Sequence, residues 1–347
     1  SGEFLQFAVV AGLASAGVDV LVIDVLPTPG VAYLTAALDA DLGVMLSASH
    51  NPMPDNGIKF FASGGVKLAD EIEEAIEEHL GEDWSRPTGE AVGRVLLAPE
   101  LAERYLEHLV SAVPTALTGI RIVVDAANGA ASTVGPAAYR RLGADVIEIH
   151  TEPDGYNINA DCGSTHLGDL QRAVVEHGAH LGIAHDGDAD RCLAVDATGA
   201  VVDGDQIMAV LALRLAQRGE LVDNTVVATV MSNLGFQLAM AEHGLKLVTT
   251  SVGDRYVLEA MRSGGYSLGG EQSGHVVLSD HATTGDGVLT ALMLMAAMAE
   301  SGRSLAELAE VMTVLPQVLL NVRGVDKDAL DGNSAIAEAV AQVEQEL

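Results

Sequence analysis

The sequence predicts an α/β fold, built as three similar mixed α/β units with the start of a fourth. Three observations predict it. Short β-branched runs alternate with longer segments of helical apolar period along most of the chain, the pattern of layered α/β structure. At 347 residues the chain has room for two to four domains of about 100–200 residues each. An apolar fraction of 49% with 19% charged residues is that of a folded chain.

The first unit, residues 1–100, opens on Ser1-Gly2-Glu3 and the apolar series Phe4, Phe7, Ala8 and Leu13. A chain that starts at a helix cap reads as a piece of a longer protein. Leu21–Val25 and Leu42–Leu46 read as buried strands, with Pro27 and Pro29 punctuating the loop between them. Ala69–Leu80 is an acidic amphipathic helix, and Gly81–Gly93, with Trp84 and Pro87, an exposed linker. The second unit, 101–201, takes helix Pro99–Val113, strand Ile120–Asp125 and a helix near Ser132–Leu142. Strand Asp145–Ile149, helix Leu167–His177 and strand Leu181–His185 complete its alternation. The third unit, 202–315, has strands Val226–Val230, Leu245–Thr249 and Tyr266–Gly269, with helices Leu234–His243 and Asp254–Met261 between them. Helix Gly287–Glu300 closes it, and Met293, Met295 and Met298 are expected in the core. The tail, 316–347, offers a strand at Gln317–Val322 and a helix at Ser334–Leu347. That is too little to bury a core, so it reads as the start of a further domain.

Charge excludes whole classes of function. Asp plus Glu number 49 against 18 Lys plus Arg, for a net charge of −31. Such a surface repels a phosphate backbone or an anionic bilayer, so no nucleic acid and no membrane is expected as partner. The longest apolar run, near Val288–Ala299, is too short to cross about 30 Å of hydrocarbon. Cys162 and Cys192 cannot make a disulfide framework, and a reducing cytoplasm is the expected location. Walker A, Gly-x-Gly-x-x-Gly, paired-cysteine and Gly-x-Ser-x-Gly patterns are all missing.

Three polar loops carry the chemistry. Ser47-Ala48-Ser49-His50-Asn51-Pro52, continued by Asp55-Asn56-Gly57-Ile58-Lys59, lies beyond the carboxyl end of strand Leu42–Leu46, where open α/β sheets place ligands. Ser49 beside His50 offers a hydroxyl with an imidazole neighbour. In Asp186-Gly187-Asp188-Ala189-Asp190-Arg191, three carboxylates at spacing two can converge on a hard cation, Mg²⁺ or Ca²⁺. It is no EF-hand, because Arg191 and Ala197 stand where that loop needs Gly and Glu. In Gly269-Gly270-Glu271-Gln272-Ser273-Gly274-His275, alternation lets Glu271, Ser273 and His275 project to one side of an extended loop and read sugar hydroxyls. Thr283-Thr284-Gly285-Asp286-Gly287 is explained as a helix N-cap. Val252-Gly253-Asp254-Arg255-Tyr256 puts a guanidinium at a helix start.

Taken together, these loops resemble three of the four active-site loops of the α-D-phosphohexomutase superfamily. Leu46–Phe61, Thr151–His166, Val252–Val257 and Gly269–Gly287 resemble its phosphoglucosamine mutase branch. The resemblance implies domains around a central cleft, with a fourth domain of α+β type. It implies a phosphoserine at Ser49, a Mg²⁺ on Ser49, Asp186, Asp188 and Asp190, and sugar reading by Glu271 and Ser273. The implied reaction interconverts glucosamine 6-phosphate and glucosamine 1-phosphate through a 1,6-bisphosphate, in amino-sugar metabolism that supplies cell-wall precursors. Its partners are then the hexosamine phosphate and that bisphosphate, and a homodimer is left open. A phosphomannomutase or phosphoglucomutase is the alternative within the superfamily. His50, Lys59, Arg191 and Arg255 are the residues for phosphate contact or proton transfer, with Lys59 the first choice of base and His275 a further substrate contact. Two family segments, a Gly-Thr-Asp-Gly-x-Arg-Gly opening and an Arg-x-Ser-Gly-Thr-Glu-Pro phosphate loop, are absent from the sequence. Ser251 stands where many relatives carry lysine. A chain without the phosphate loop is expected to bind substrate weakly, or to be an inactive fragment that retains Mg²⁺ and sugar-phosphate binding.

Overall fold

A computed structural model describes residues 2–320, 324 and 332–346. The β-branched runs assemble into four sheets. Near the N-terminus Val20–Val22 pairs in parallel with Val95–Leu97, so the segment after the exposed linker returns to the first strand. Leu42–Leu46, Ile58–Ala62 and Val66–Lys67 form an antiparallel sheet of three strands. The third sheet runs in the order Val201–Val202, Leu193–Asp196, Leu181–Ala184, Arg121–Asp125, Asp145–Ile149, parallel at its centre and antiparallel towards Val201–Val202. The fourth repeats that plan with Lys246–Thr250, Thr225–Thr229, Leu268–Gly270 and Val276–Leu278.

Each polar loop therefore has the same place in its own sheet. It joins a strand to an antiparallel neighbour: Leu42–Leu46 to Ile58–Ala62, Leu181–Ala184 to Leu193–Asp196, and Leu268–Gly270 to Val276–Leu278. The sequence reading found the first strand of each pair and missed the second, because the returning strands follow polar turns and are made strands by their ladder partners.

Other elements differ from expectation for local reasons. The first strand ends at Val22, short of Val25, where Asp24 at φ 64° turns the chain. The expected loop at Pro27–Pro29 opens a helix, Thr28–Ala37, with Pro27 at its N-cap and Pro29 in its first turn. Proline is tolerated there, since the first turn's N–H groups have no helical partner. The acidic helix forms at Asp70–Glu78, and residues 71–78 are exposed.

The core centres on helix Gly287–Ser301, in which every residue from Gly287 to Met298 is buried. A helix apolar on all sides must be enclosed. It packs on Gly204–Arg218, Ala131–Arg141 and Ala102–Ala112, and Met293, Met295 and Met298 lie in that core. Leu292 is wholly buried in it, so Leu292→Ala should lower unfolding free energy by about 2–5 kcal/mol in urea titration.

Compact packing runs over Ser1–Val314, and Leu315–Leu347 forms a separate unit. That second unit carries helix Ser334–Glu346. The expected strand at Gln317–Val322 is not formed at Gln317–Leu320, and Asn321 and Val322 lie outside the described residues. Among the described residues no helix is long and apolar enough to cross a membrane.

Candidate active site

Ser49 sits on a turn that few side chains adopt, at φ 53°. Its N–H donates to Ser47 Oγ at 2.8 Å, which holds the turn. Its Oγ donates to Asp186 Oδ2 at 2.9 Å and lies 3.3 Å from His50 Nδ1. The serine and metal loops therefore meet, although they stand 137 positions apart. Gly187 permits it: a Cβ there would lie 2.6 Å from Ser49 O and 2.8 Å from Asn159 Nδ2, closer than any side chain tolerates. Asn159, at φ 55°, donates from Nδ2 to the carbonyls of Ser49 and Asn51, both at 2.9 Å. This buried amide fastens the serine loop to the segment that follows strand Asp145–Ile149 of the third sheet.

Asp186, Asp188 and Asp190 are buried, and each offers a carboxylate oxygen within 4.8 Å of the others. Thr28 donates from Oγ1 to Asp188 Oδ2 at 2.7 Å and from its backbone to Asp188 O at 2.9 Å. Gly287 N donates to Ala189 O at 3.0 Å, so the cap of the central helix also supports the loop. Lys59 Nζ lies 2.6 Å from Asp188 Oδ2 and 3.5 Å from Asp190 Oδ2. Arg191 Nε is 3.9 Å from Asp186 Oδ2.

Burial and the charges of Asp190 and Asp188 push Asp186 well above the ordinary carboxylate range. Burial and Asp188 raise Asp190 to about 7. Asp188 goes the other way: burial alone would raise it, but Lys59 and the hydrogen bond from Thr28 hold it down. Lys59 mirrors this. Burial alone would lower its pKa, and the Asp188 and Asp190 charges override that and raise it. Lys59 thus stands as a donor to Asp188, a place that does not favour the role of base expected of it.

The triad fits a hard divalent ion. Asp188 Oδ1 and Asp190 Oδ1 are buried with no hydrogen-bond partner, and an unpaired buried carboxylate oxygen is costly without a cation. An all-oxygen donor set suits Mg²⁺.

His185 braces the loop from behind. Its Nδ1 donates to Arg191 O at 2.9 Å, and Tyr139 Oη donates to its Nε2 at 2.7 Å. Burial, only partly offset by the Arg191 bond, pushes its pKa from 6.5 down to about 4. The unfolded chain gains this proton near pH 6.5 and the folded chain only near pH 4. The residue's stabilising contribution is therefore full above pH 6.5 and lost as pH falls through that window. Urea titration should show a shallower acid loss in His185→Phe than in the unsubstituted protein, and parallel slopes would exclude this role.

The Glu271–His275 loop departs from expectation. It is a tight turn, closed by Gly274 N donating to Glu271 O at 3.0 Å with Gly274 at φ 92°, and not an extended run. Alternation is lost, so the three side chains do not share one face. Glu271 Oε1 accepts from Gly253 N at 3.1 Å, and Ser273 Oγ is buried with no hydrogen-bond partner. His275 is buried with neither ring nitrogen hydrogen-bonded, and its Nε2 is 4.0 Å from Asp190 Oδ2. A bridge between Arg191 and His275 joins this loop to the metal loop.

Arg255 is exposed at the start of helix Asp254–Gly264. The preceding Asp254 pairs with Lys67 Nζ at 3.1 Å. Sequence reasoning missed Thr28, Asn159 and His185. Their signals, a Thr between prolines, a polar Asn-Ile-Asn run and a histidine ending a strand, are too common to single out.

Comparison with known proteins gives the chain's family. The sequence matches three domains described as phosphoglucomutase/phosphomannomutase alpha/beta/alpha domains: domain I over residues 1–86, domain II over 103–199 and domain III over 203–315. A phosphoglucosamine mutase of Rhodococcus jostii is 65% identical over 349 residues, covering 100% of this chain and 78% of the relative. One from Saccharopolyspora erythraea is also 65% identical, with the same coverage. A solved phosphoglucomutase/phosphomannomutase family protein from Burkholderia thailandensis is 26% identical with a TM-score of 0.77, covering 91% of this chain and 69% of that one. An Aspergillus fumigatus N-acetylphosphoglucosamine mutase, solved with GlcNAc-6P and magnesium, shares the fold at 18% identity and a TM-score of 0.65, covering 87% of this chain and 79% of that one. Successive matches to three domains of one family, over most of the sequence, carry the conclusion: the chain belongs to the phosphoglucomutase/phosphomannomutase family.

Proposed function

We propose that this protein is an intramolecular phosphotransferase that interconverts glucosamine 6-phosphate and glucosamine 1-phosphate, using Ser49 as phosphoryl carrier and a 1,6-bisphosphate as intermediate. The observation that carries the reading is the meeting of Ser49 Oγ with the buried aspartate triad, at 2.9 Å from Asp186 Oδ2. High identity to two phosphoglucosamine mutases along the whole chain supports the amino sugar over its 2-hydroxy analogues.

The phosphoryl group passes from Ser49 Oγ to a sugar hydroxyl: the Oγ–P bond breaks and a new O–P bond forms on the sugar. The other phosphate of the turned bisphosphate then returns to Ser49. Splitting one exchange into two transfers through a covalent carrier makes each step accessible. Mg²⁺, held by Asp186, Asp188 and Asp190, would supply positive charge to the phosphoryl oxygens at Ser49. Lys59 and Arg191 add fixed positive charge beside the serine. Burial, followed by the Arg191 charge, lowers the His50 pKa, so its imidazole is neutral near pH 7. With Nδ1 3.3 Å from Ser49 Oγ, His50 takes the proton of the attacking hydroxyl, the sugar's on transfer from Ser49 and the serine's on the return, and passes it to the oxygen that the phosphoryl group leaves. Glu271 reads a hydroxyl common to both sugar orientations, and Arg255 contacts the distal phosphate.

Turnover compared on the 2-amino and 2-hydroxy hexose phosphates tests the assignment. Higher kcat/KM on glucosamine 6-phosphate is expected, and preference for glucose or mannose phosphates would replace it with the sister activity. Gly187→Ala should lower kcat by about 10²-fold with the fold retained, because its Cβ forces the serine loop off the metal loop.

A further inference from the structure

Away from the aspartate triad, one cluster brings oxygen, nitrogen and sulfur donors together. Asp125 ends strand Arg121–Asp125, His150 follows strand Asp145–Ile149, and Cys162 lies in the Thr151–His166 segment. Each offers one ligand atom within 4.8 Å of the others. Asp125 and Cys162 are fully buried, while the His150 side chain is 25% exposed and leaves an entry. His150 is oriented at both ring nitrogens. Nδ1 donates to Asp125 Oδ2 at 3.0 Å, and Nε2 lies 3.4 Å from Asp169 Oδ2, while Asp169 Oδ1 pairs with Arg172. His150 holds this pose at φ 49°, a conformation that disfavours any side chain. The polar contact given to Cys162 Sγ is a long one, from Asn128 Nδ2 at 3.9 Å. Asp125 also accepts from Ala127 N and Gly163 N, which fixes its carboxylate in the cluster.

We propose that Asp125, His150 and Cys162 form a second metal site, distinct from the aspartate triad, that takes a borderline transition ion such as Zn²⁺ through Asp125 carboxylate, His150 Nδ1 and Cys162 Sγ. The donor set decides the class of ion. A thiolate with an imidazole and a carboxylate suits Zn²⁺, whereas Mg²⁺ requires oxygen ligands. Asp169 has the place of the carboxylate that commonly holds the far nitrogen of a metal-bound histidine. The protons balance. The ion replaces the proton on His150 Nδ1, Nε2 carries one towards Asp169, and the Cys162 thiol releases its proton to solvent. Burial and the charge of Asp125 keep that thiol protonated, with its pKa at about 12, so the thiolate forms only with a cation. The same segment carries Asn159, so an ion here would stiffen the support of the serine loop.

Co²⁺ titration of the protein in saturating Mg²⁺ tests this by absorbance. A near-ultraviolet thiolate-to-Co²⁺ charge-transfer band that saturates at a single equivalent is expected, and Zn²⁺ should bleach it. Cys162→Ser should abolish the band and Cys192→Ser should keep it. His150→Gly removes the ligand while relieving the backbone, so it should fold and lose the band. Asp169→Asn, at a half-exposed position, should weaken Co²⁺ binding by about 10–100-fold. No band in the unsubstituted protein, a band that survives Cys162→Ser or His150→Gly, or Co²⁺ affinity unchanged in Asp169→Asn would each overturn the site and leave a hydrogen-bonded network only.

Discussion

Ser49→Ala is expected to abolish turnover, by on the order of 10³-fold or more, with the protein still folded. The hydroxyl is the only atom lost, and with it the bond to Asp186 Oδ2 and the contact with His50. Residue 49 is only half-buried, so stability should change by less than about 1 kcal/mol. Intact-protein mass spectrometry after exposure to a hexose 1,6-bisphosphate gives the direct readout. The unsubstituted protein should gain one phosphate and the variant none. A phosphate adduct that persists in Ser49→Ala would remove Ser49 as the carrier. Ser49→Gly serves as a folding control, since glycine accepts φ 53° without strain.

Asp188→Asn is the second substitution with a large expected effect. Asp188 Oδ2 accepts from Lys59 at 2.6 Å and from Thr28 at 2.7 Å, so one carboxylate ties the metal loop to two elements of the first domain. Asparagine keeps the shape and removes the charge. Lys59 is then left with Asp190 at 3.5 Å as its acidic contact, and its pKa should fall towards the ordinary value. Turnover should drop by on the order of 10²–10³-fold, with a matching loss of apparent Mg²⁺ affinity. Titrating activity against Mg²⁺ separates this from simple misfolding: a folded variant with unaltered Mg²⁺ dependence would take Asp188 out of the metal site.

How much of this was legible beforehand depends on the range of the interaction. Strands Leu42–Leu46 and Asp145–Ile149 form at the predicted residues, because alternation and β-branching act within a few positions. Helix Thr28–Ala37 was hidden because Pro27 and Pro29 mark a helix start as readily as a turn. The returning strand of each hairpin was hidden because its ladder partner, not its own composition, makes it a strand. At the site, the serine, aspartate and glutamate loops were visible as polar clusters at strand ends. Thr28 and Asn159 were not, since each acts on a residue more than 100 positions away.

The charge of −31 shows the same division. By itself the sequence determined that the protein is acidic, α/β and built of repeated units, and that one loop concentrates three carboxylates. It also named Lys59 and Arg191 as cations near them. Only the tertiary structure decided that Lys59 stands on Asp188 as a donor, that His275 is buried, and that Gly187 lets Ser49 reach Asp186. Composition and period are properties of a segment, whereas a protonation state or a close approach belongs to the neighbours that folding brings to it.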